Sequence, residues 1–254
     1  MKFKRNFPNA KQRGFSLLEL LLVIAILSLI VGAVFSQMGD AQRRLNAEEM
    51  KLGDFQQARD FVDQFFRDIN QAGTPNIRMY DPTQITFNTT NNTYDSRLAV
   101  GLVSIDNNSI TFEGSVNGTG TVQTVTYKIN GLGGTTCPLC LQRSQMDKVN
   151  NISPTAQPTD WGTEINDITN TTAFPIFRYY QYDGTQITSL PQDISTAGGA
   201  NIIAKVKTVQ INLTIRNPQI IDQKTGQPIE TSFEGEVSLN NCSMASTGQA
   251  MSCQ

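Results

Sequence analysis

The chain has 254 residues, four cysteines, no histidine and a formal net charge of −2. A chain of this length fits one domain or two small ones, and it is long enough to bury a packed core. The lack of histidine excludes Ser-His-Asp and Cys-His catalysis and any metal site with histidine ligands. Charged residues make up only 17% of the chain, which does not favour binding of nucleic acid through charge.

The first 35 residues differ strongly from this average. Residues 1–14 hold five basic side chains and no acidic one, and residues 15–35 are apolar except for Ser16, Glu19 and Ser28. A helix of this length would extend about 30 Å, which is the thickness of the apolar core of a bilayer. The basic residues before it predict a cytoplasmic N-terminus, with everything beyond residue 36 exported.

Three interpretations of this apolar segment compete. It could be an uncleaved signal anchor, or a cleavable signal peptide with a small-residue site at V31-G32-A33. The apolar run is longer than the roughly 7–15 residues of an ordinary signal peptide. A carboxylate costs up to about 2.5–3.5 kcal/mol at the centre of a membrane helix. The third interpretation therefore gives Glu19 a function and predicts a cationic partner for it.

The segment K11-QRG-FSLLELLLVIAIL-S28 resembles the class III signal of type IV prepilins and pseudopilins. That signal consists of a short basic leader ending in Gly, an aromatic residue, a Glu four positions later and an apolar helix. The resemblance implies that a prepilin peptidase cleaves after Gly14 and methylates the new α-amine of Phe15. It also implies that Glu19 pairs with the N-terminal ammonium of a neighbouring subunit during filament assembly.

Apolar residues at a spacing of three to four continue beyond the membrane segment and predict a continuing helix. Gly73 and Pro75 are expected to end it. The charged side chains around the stripe, including Asp68, are interpreted mostly as a solvated face. The stripe after residue 45 requires a sheet to cover it. The members of the whole stripe are Met38, Ala41, Leu45, Leu52, Phe55, Val62, Phe65 and Ile69.

The remainder predicts strands and turns. Turn sequences at residues 106–108 and at Asp183-Gly184 predict two hairpins, and Thr225-Gly226 is expected to join a third pair of strands. Residues 144–172 are polar and contain two prolines, so we interpret them as a loop-rich excursion. The predicted strands are residues 98–105, 109–113, 121–129, 139–143, 174–182, 185–190, 202–215 and 229–239.

The order of elements resembles the PilW-type minor pilins and, at the same places, the type II secretion pseudopilin J. The resemblance lies in FFRDINQAG, in ITFEGS, VTYKI and LQRS, and in VKTVQINLTIRN and EGEVSLNN. It implies an α+β, pilin-like fold in which a long N-terminal helix packs on antiparallel sheets. We divide the chain into a leader (1–14), a transmembrane half of the helix (15–36), an amphipathic half (37–73) and a β-rich globular head (74–254).

The same resemblance implies a low-copy minor pilin that primes filament assembly at or near the tip, without enzymatic activity or cofactor. The implied partners are the prepilin peptidase, other minor and major pilins, membrane lipid and, indirectly, the inner-membrane assembly platform and ATPase. No nucleic-acid partner is predicted. The implied location is the bacterial inner membrane and then a pilus or pseudopilus. The alternatives are a pseudopilin J-like secretion subunit and a membrane-anchored exported enzyme or binding module.

The cysteines form two local pairs in the sequence, Cys137 with Cys140 and Cys242 with Cys253. In an exported protein disulfides are favoured, and local pairs are the simplest of the three possible pairings. A zinc site built from all four thiolates is an alternative, but C-x10-C is a poor half of such a site. A thioredoxin-like role for C-P-L-C lacks the βαβ context that it requires. We therefore predict disulfides and no metal site.

Overall fold

The structure is a computed structural model of the chain. It describes residues 16–75, 79, 81, 87–88, 93–130, 139–171, 173–221, 225–239, 243–244 and 251–252. The chain divides into two compact units, Met1–Glu49 and Met50–Gln254. Helix α1 (Leu17–Asn70) contributes its N-terminal part to the first unit and its C-terminal part to the second.

The described part of the first unit is the N-terminal part of α1 with Ser16 before it. None of the described residues 16–49 is buried. The large apolar side chains between Leu17 and Phe35 are 42–76% exposed. Exposed apolar surface of this extent is unfavourable in water, since it contributes roughly 25 cal/mol per Å² when it is buried. The segment therefore requires lipid or another protein around it.

The second unit contains two larger antiparallel sheets. One has the strand order β10-β3-β4-β5-β6-β7 and the other has β12-β11-β8-β9. A short helix, α2 (Ala197–Ile203), precedes β11. The strands are β1 (Phe87–Asn88), β2 (Thr93–Tyr94), β3 (Leu102–Ile105), β4 (Ser109–Gly114), β5 (Gln123–Ile129), β6 (Leu141–Asp147), β7 (Trp161–Ile165), β8 (Phe177–Gln181), β9 (Gln186–Ile187), β10 (Gln192–Asp193), β11 (Val206–Ile221), β12 (Pro228–Ser238), β13 (Ser243–Met244) and β14 (Met251–Ser252).

The last turns of α1 form the centre of the core in this unit. The ring of Phe65 lies 5.3 Å from that of Tyr127 on β5 and 5.5 Å from that of Phe177 on β8. Phe65 therefore joins the helix to both sheets at once. Ala58, Phe61 and Ile69 are buried beside it. This arrangement confirms the α+β, pilin-like fold of a long helix packed on antiparallel sheets.

The predicted hairpins are confirmed. β3 and β4 pair around residues 106–108, and β8 and β9 pair around Asp183-Gly184. Gly184 has a φ of +81°, a conformation that glycine adopts without strain. β11 pairs with β12 over most of its length, as predicted for the pair of strands joined at Thr225-Gly226.

The covered part of α1 is shorter than predicted. Leu45 and Leu52 are 64% and 60% exposed, whereas Ala58, Phe61 and Phe65 are buried. The sheets reach the helix only near Asp54, which accepts a hydrogen bond of 2.5 Å from the Asn217 side chain on β11. The expectation that a sheet covers the whole stripe after residue 45 is therefore wrong at Leu52 and is confirmed only for the later members, such as Phe65 and Ile69.

Two strand assignments also differ from the expectation. Residues 144–172 are not one loop-rich excursion, because β6 continues to Asp147 and β7 occupies Trp161–Ile165. These polar stretches lie at and next to the sheet edge with one solvated face, so they carry little apolar alternation. Ile202 and Ile203 belong to α2 instead of the following strand. Thr196 caps that helix by accepting a hydrogen bond from the Gly199 amide at 3.1 Å.

Candidate processing and assembly segment

The N-terminal part of α1 is long and apolar enough to span a bilayer by length and composition. A signal sequence that is later cleaved shares this property. The polar side chain of Ser28 is satisfied within the helix, because its hydroxyl donates to the carbonyl of Ile24 at 2.8 Å. Such bonding to the preceding turn gives the serine hydroxyl a hydrogen-bond partner inside an apolar helix.

Glu19 lies in the first turn of α1, where its amide donates to the carbonyl of Ser16 at 2.9 Å. It is the only acidic residue between positions 16 and 39. Its side chain is exposed, and within the described residues it forms no ion pair. A carboxylate in the first turn of a helix is stabilised by the positive end of the helix dipole. In lipid it additionally requires a cation.

The predicted cleavage pair, Gly14 and Phe15, lies outside the described residues, which begin at Ser16. The chain position of the pair is nonetheless informative. Phe15 is four residues before Glu19, so a helix that included it would place the two about one turn apart.

Of the four predicted disulfide cysteines, only Cys140 is among the described residues. Cys140 is fully buried just before β6 and is disulfide-bonded. Cys137, Cys242 and Cys253 lie outside the described residues, so the pairing itself remains a prediction. A zinc site built from all four thiolates does not agree with this, because a disulfide-bonded Cys140 supplies no thiolate.

A polar cluster in the second unit was missed by the sequence analysis. Asp68 of α1 is buried, and one of its carboxylate oxygens, Oδ2, accepts three hydrogen bonds. Tyr127 donates at 2.6 Å, and Arg143 donates from Nε at 2.9 Å and from Nη2 at 2.6 Å. The other oxygen, Oδ1, accepts from Gln64 at 2.7 Å. Asp68 thus joins the helix to β5 and β6 through a nearly enclosed ion pair.

Burial, together with the negative charge of Asp68, raises the pKa of Tyr127 well above its usual value. The Tyr127 hydroxyl therefore remains protonated and donates to the carboxylate at any physiological pH. The available signal was the phase of Asp68 on the helix. It follows Phe61 by seven residues and Phe65 by three, which places it on the buried stripe instead of the solvated face.

Comparison with known proteins agrees with the interpretation of the N-terminal segment. A family model described as the prokaryotic N-terminal methylation motif matches residues 9–35. No curated protein matches the chain significantly. The matched range includes Gly14, Phe15 and Glu19 and implies processing by a prepilin peptidase in the context of pilin assembly. In its signal and its apolar helix, the chain is thus similar to type IV pilins and pseudopilins and is suited to anchoring in a membrane.

Proposed function

We propose that the protein is a minor pilin, a non-enzymatic subunit that primes assembly of a type IV pilus at or near its tip. The precursor inserts into the inner membrane with residues 1–14 in the cytoplasm and the β-rich head outside. Prepilin peptidase cleaves after Gly14 and methylates Phe15, and the mature chain is then extracted into the filament. Glu19 pairs with the N-terminal ammonium of a neighbouring subunit.

The observation that carries this proposal is the methylation motif at residues 9–35, together with a helical segment, residues 17–35, whose apolar side chains are all exposed. Such a helix must leave water, and bundling of parallel helices in a filament provides the same apolar surroundings as lipid. The low content of charged residues, 17% of the whole chain, is compatible with protein–protein contacts.

Processing at Gly14 tests the proposal directly. We expect Gly14→Leu to accumulate as the full-length precursor, because a bulky side chain obstructs entry of an extended segment into a tight active site. N-terminal sequencing and mass spectrometry of the membrane fraction measure this. The matched control is Gly32→Ala, a helical glycine whose added Cβ would meet no atom within 4 Å. That variant should be cleaved normally and begin with N-methyl-Phe15.

The same measurement separates the alternatives. An N-terminus at Val34 would indicate an ordinary signal peptidase, and an N-terminus at Met1 would indicate an uncleaved anchor carrying an enzyme or binding module. Either result contradicts the minor-pilin proposal. A pseudopilin J-like subunit would share the methylated N-terminus. Deletion of the protein distinguishes the two: loss of a pseudopilin J-like subunit would abolish secretion of folded proteins and leave surface pili intact.

A further inference from the structure

The second unit ends its four-stranded sheet in a long open edge. β12 is the first strand in the order β12-β11-β8-β9 and is 11 residues long. On its other side, no strand among the described residues pairs with it. An edge strand of this length exposes a row of unpaired amides and carbonyls, which can template the addition of another strand.

The hydrogen bonds show which backbone groups face outward. The amide of Asn212 donates to Ile176 at 2.7 Å, whereas the amide of Leu239 donates to Lys207 at 2.8 Å. Even-numbered residues of β11 therefore bond towards β8, and odd-numbered ones bond towards β12. Since Leu213 pairs with Phe233, the inward-bonding residues of β12 are odd-numbered as well. The amides and carbonyls of Glu230, Ser232, Glu234 and Glu236 point away from the sheet.

The two sides of β12 differ sharply. Its odd-numbered side chains face α1: the rings of Phe233 and Phe55 are 4.9 Å apart, and a Cβ added to Gly235 would lie 2.6 Å from the ring of Phe66. The even-numbered side chains of residues 230–238 are exposed. On the exposed face of the sheet, this second set would lie beside every other side chain of an added strand.

The exposed row is acidic. Over Thr208–Arg216 and its paired residues on β12, the exposed-face side chains carry three carboxylates, Glu230, Glu234 and Glu236, and one guanidinium, Arg216. Arg216 bonds Glu230 at 2.5 Å, whereas Glu234 and Glu236 form no ion pair with any of the residues that the structure describes. A second copy of the chain pairing antiparallel through this edge would place carboxylates against carboxylates, which is unfavourable.

We propose that β12 is a docking edge for an extended segment of a partner protein that carries Lys or Arg at alternate positions. The partner strand pairs with the outward amides and carbonyls of Glu230, Ser232, Glu234 and Glu236. Its basic side chains lie beside the carboxylates. This proposal concerns the second unit and goes beyond the function proposed above, on which it does not depend.

The test uses the full-length chain in detergent micelles and a short capped peptide in which Thr and Lys alternate. We expect this peptide to bind and to slow hydrogen exchange at the amides of residues 230, 232, 234 and 236. A peptide in which Thr and Glu alternate should not bind. Ser232→Pro removes one outward amide without removing a bond to β11 and should weaken binding about tenfold or more. The matched control, Ser232→Ala, keeps that amide and should bind like the unaltered chain.

Charge reversal keeps the test decisive if Ser232→Pro does not fold. The double variant Glu234→Lys with Glu236→Lys should lose the Thr-Lys peptide and gain the Thr-Glu peptide. Equal binding of both peptides by the unaltered chain would overturn the proposal. Protection of the outward amides in the free protein, or a dimer that Ser232→Pro dissociates, would also overturn it. The absence of any binding would overturn it too, and the carboxylates would then only prevent edge-to-edge aggregation.

Discussion

At the scale of single residues, Glu19 is the group whose position demands the most explanation. It is a carboxylate in a stretch that is otherwise uncharged from residue 16 to residue 39. Alanine or valine there would insert into a bilayer more favourably. A carboxylate is unfavourable in apolar surroundings unless it contacts a cation, which lipid tails do not supply. An ammonium group from another chain meets that requirement.

We therefore predict that Glu19→Val is processed normally but enters filaments poorly. The neutral side chain removes the partner of the neighbouring ammonium group, which would then be buried without a counter-charge. Immunoblots of sheared filaments and of membranes measure incorporation. Asp40→Ala is the control, since it removes an exposed carboxylate from the same helix beyond the apolar stretch. Normal incorporation of Glu19→Val would contradict the pairing.

Asp68 is the second residue whose charge has a specific partner. We predict that Asp68→Ala destabilises the second unit by roughly 3–5 kcal/mol, because it leaves Arg143 partly buried and unpaired. Urea denaturation of the chain in detergent measures the change in free energy of unfolding. Asp63→Ala is the control. Its 4.0 Å pair with Arg59 joins side chains that are 55% and 81% exposed, and such a pair contributes about 0–1 kcal/mol.

At the scale of elements, the end of α1 is bonded to the C-terminal end of β4. Ala72 forms an isolated bridge with Gly114, and the amide of Gly73 donates to the carbonyl of Glu113 at 2.8 Å. The amide of Ser115 donates to the carbonyl of Thr74 at 2.8 Å. These bonds pair the backbone groups that directly follow the helix with residues at the end of the strand. They also fix where the chain turns away from α1.

Gly114 is the position at which this junction allows no side chain. An added Cβ would overlap the carbonyl oxygen of Gln71. We predict that Gly114→Ala costs roughly 1–3 kcal/mol of stability, since the backbone of one element must move. Gly53→Ala, in α1 with open space around its Cα, should instead stabilise by up to about 1 kcal/mol. Urea denaturation compares both variants with the unaltered chain, and equal stability of the two variants would contradict the prediction.

The elements also show how far the sequence determines the fold. The helix and the hairpins were predictable because periodicity and turn residues act over a few neighbouring positions. β7 was not predictable, because it is polar and is held by long-range contacts such as Lys128, whose ammonium lies 4.6 Å from the Trp161 ring centroid. The partners of Asp68 were not predictable, because they depend on Tyr127 and Arg143 lying opposite each other on β5 and β6. The position of Asp68 on the helix does not contain that information.

At the scale of the whole molecule, processing changes the charge. Removal of the leader takes away five basic residues and no acidic one, which leaves 15 basic against 22 acidic side chains and a side-chain charge of −7. The mature chain is therefore distinctly acidic. Long-range repulsion disfavours direct DNA binding by the molecule as a whole, and it favours basic partners for exposed acidic surfaces such as that of β12.

The division into two units predicts that the second unit folds without the first. All described buried residues lie at Ala58 or beyond, so deletion of residues 1–49 removes none of them. We expect the fragment 50–254 to be soluble without detergent and to unfold cooperatively in urea, within about 0.5 kcal/mol of the full chain. Near-ultraviolet circular dichroism and urea titration measure this.

A shorter fragment that begins at Arg67 provides the control for this deletion. It lacks Ala58, Phe61 and Phe65, and therefore the helical residues that join the two sheets. Loss of large buried aromatic groups costs about 3–5 kcal/mol each, which is comparable to the whole stability of an ordinary domain. We expect this fragment to show no cooperative transition. If 50–254 behaved in the same way, the second unit would depend on residues before Met50, and the apolar helix would contribute to folding as well as to anchoring.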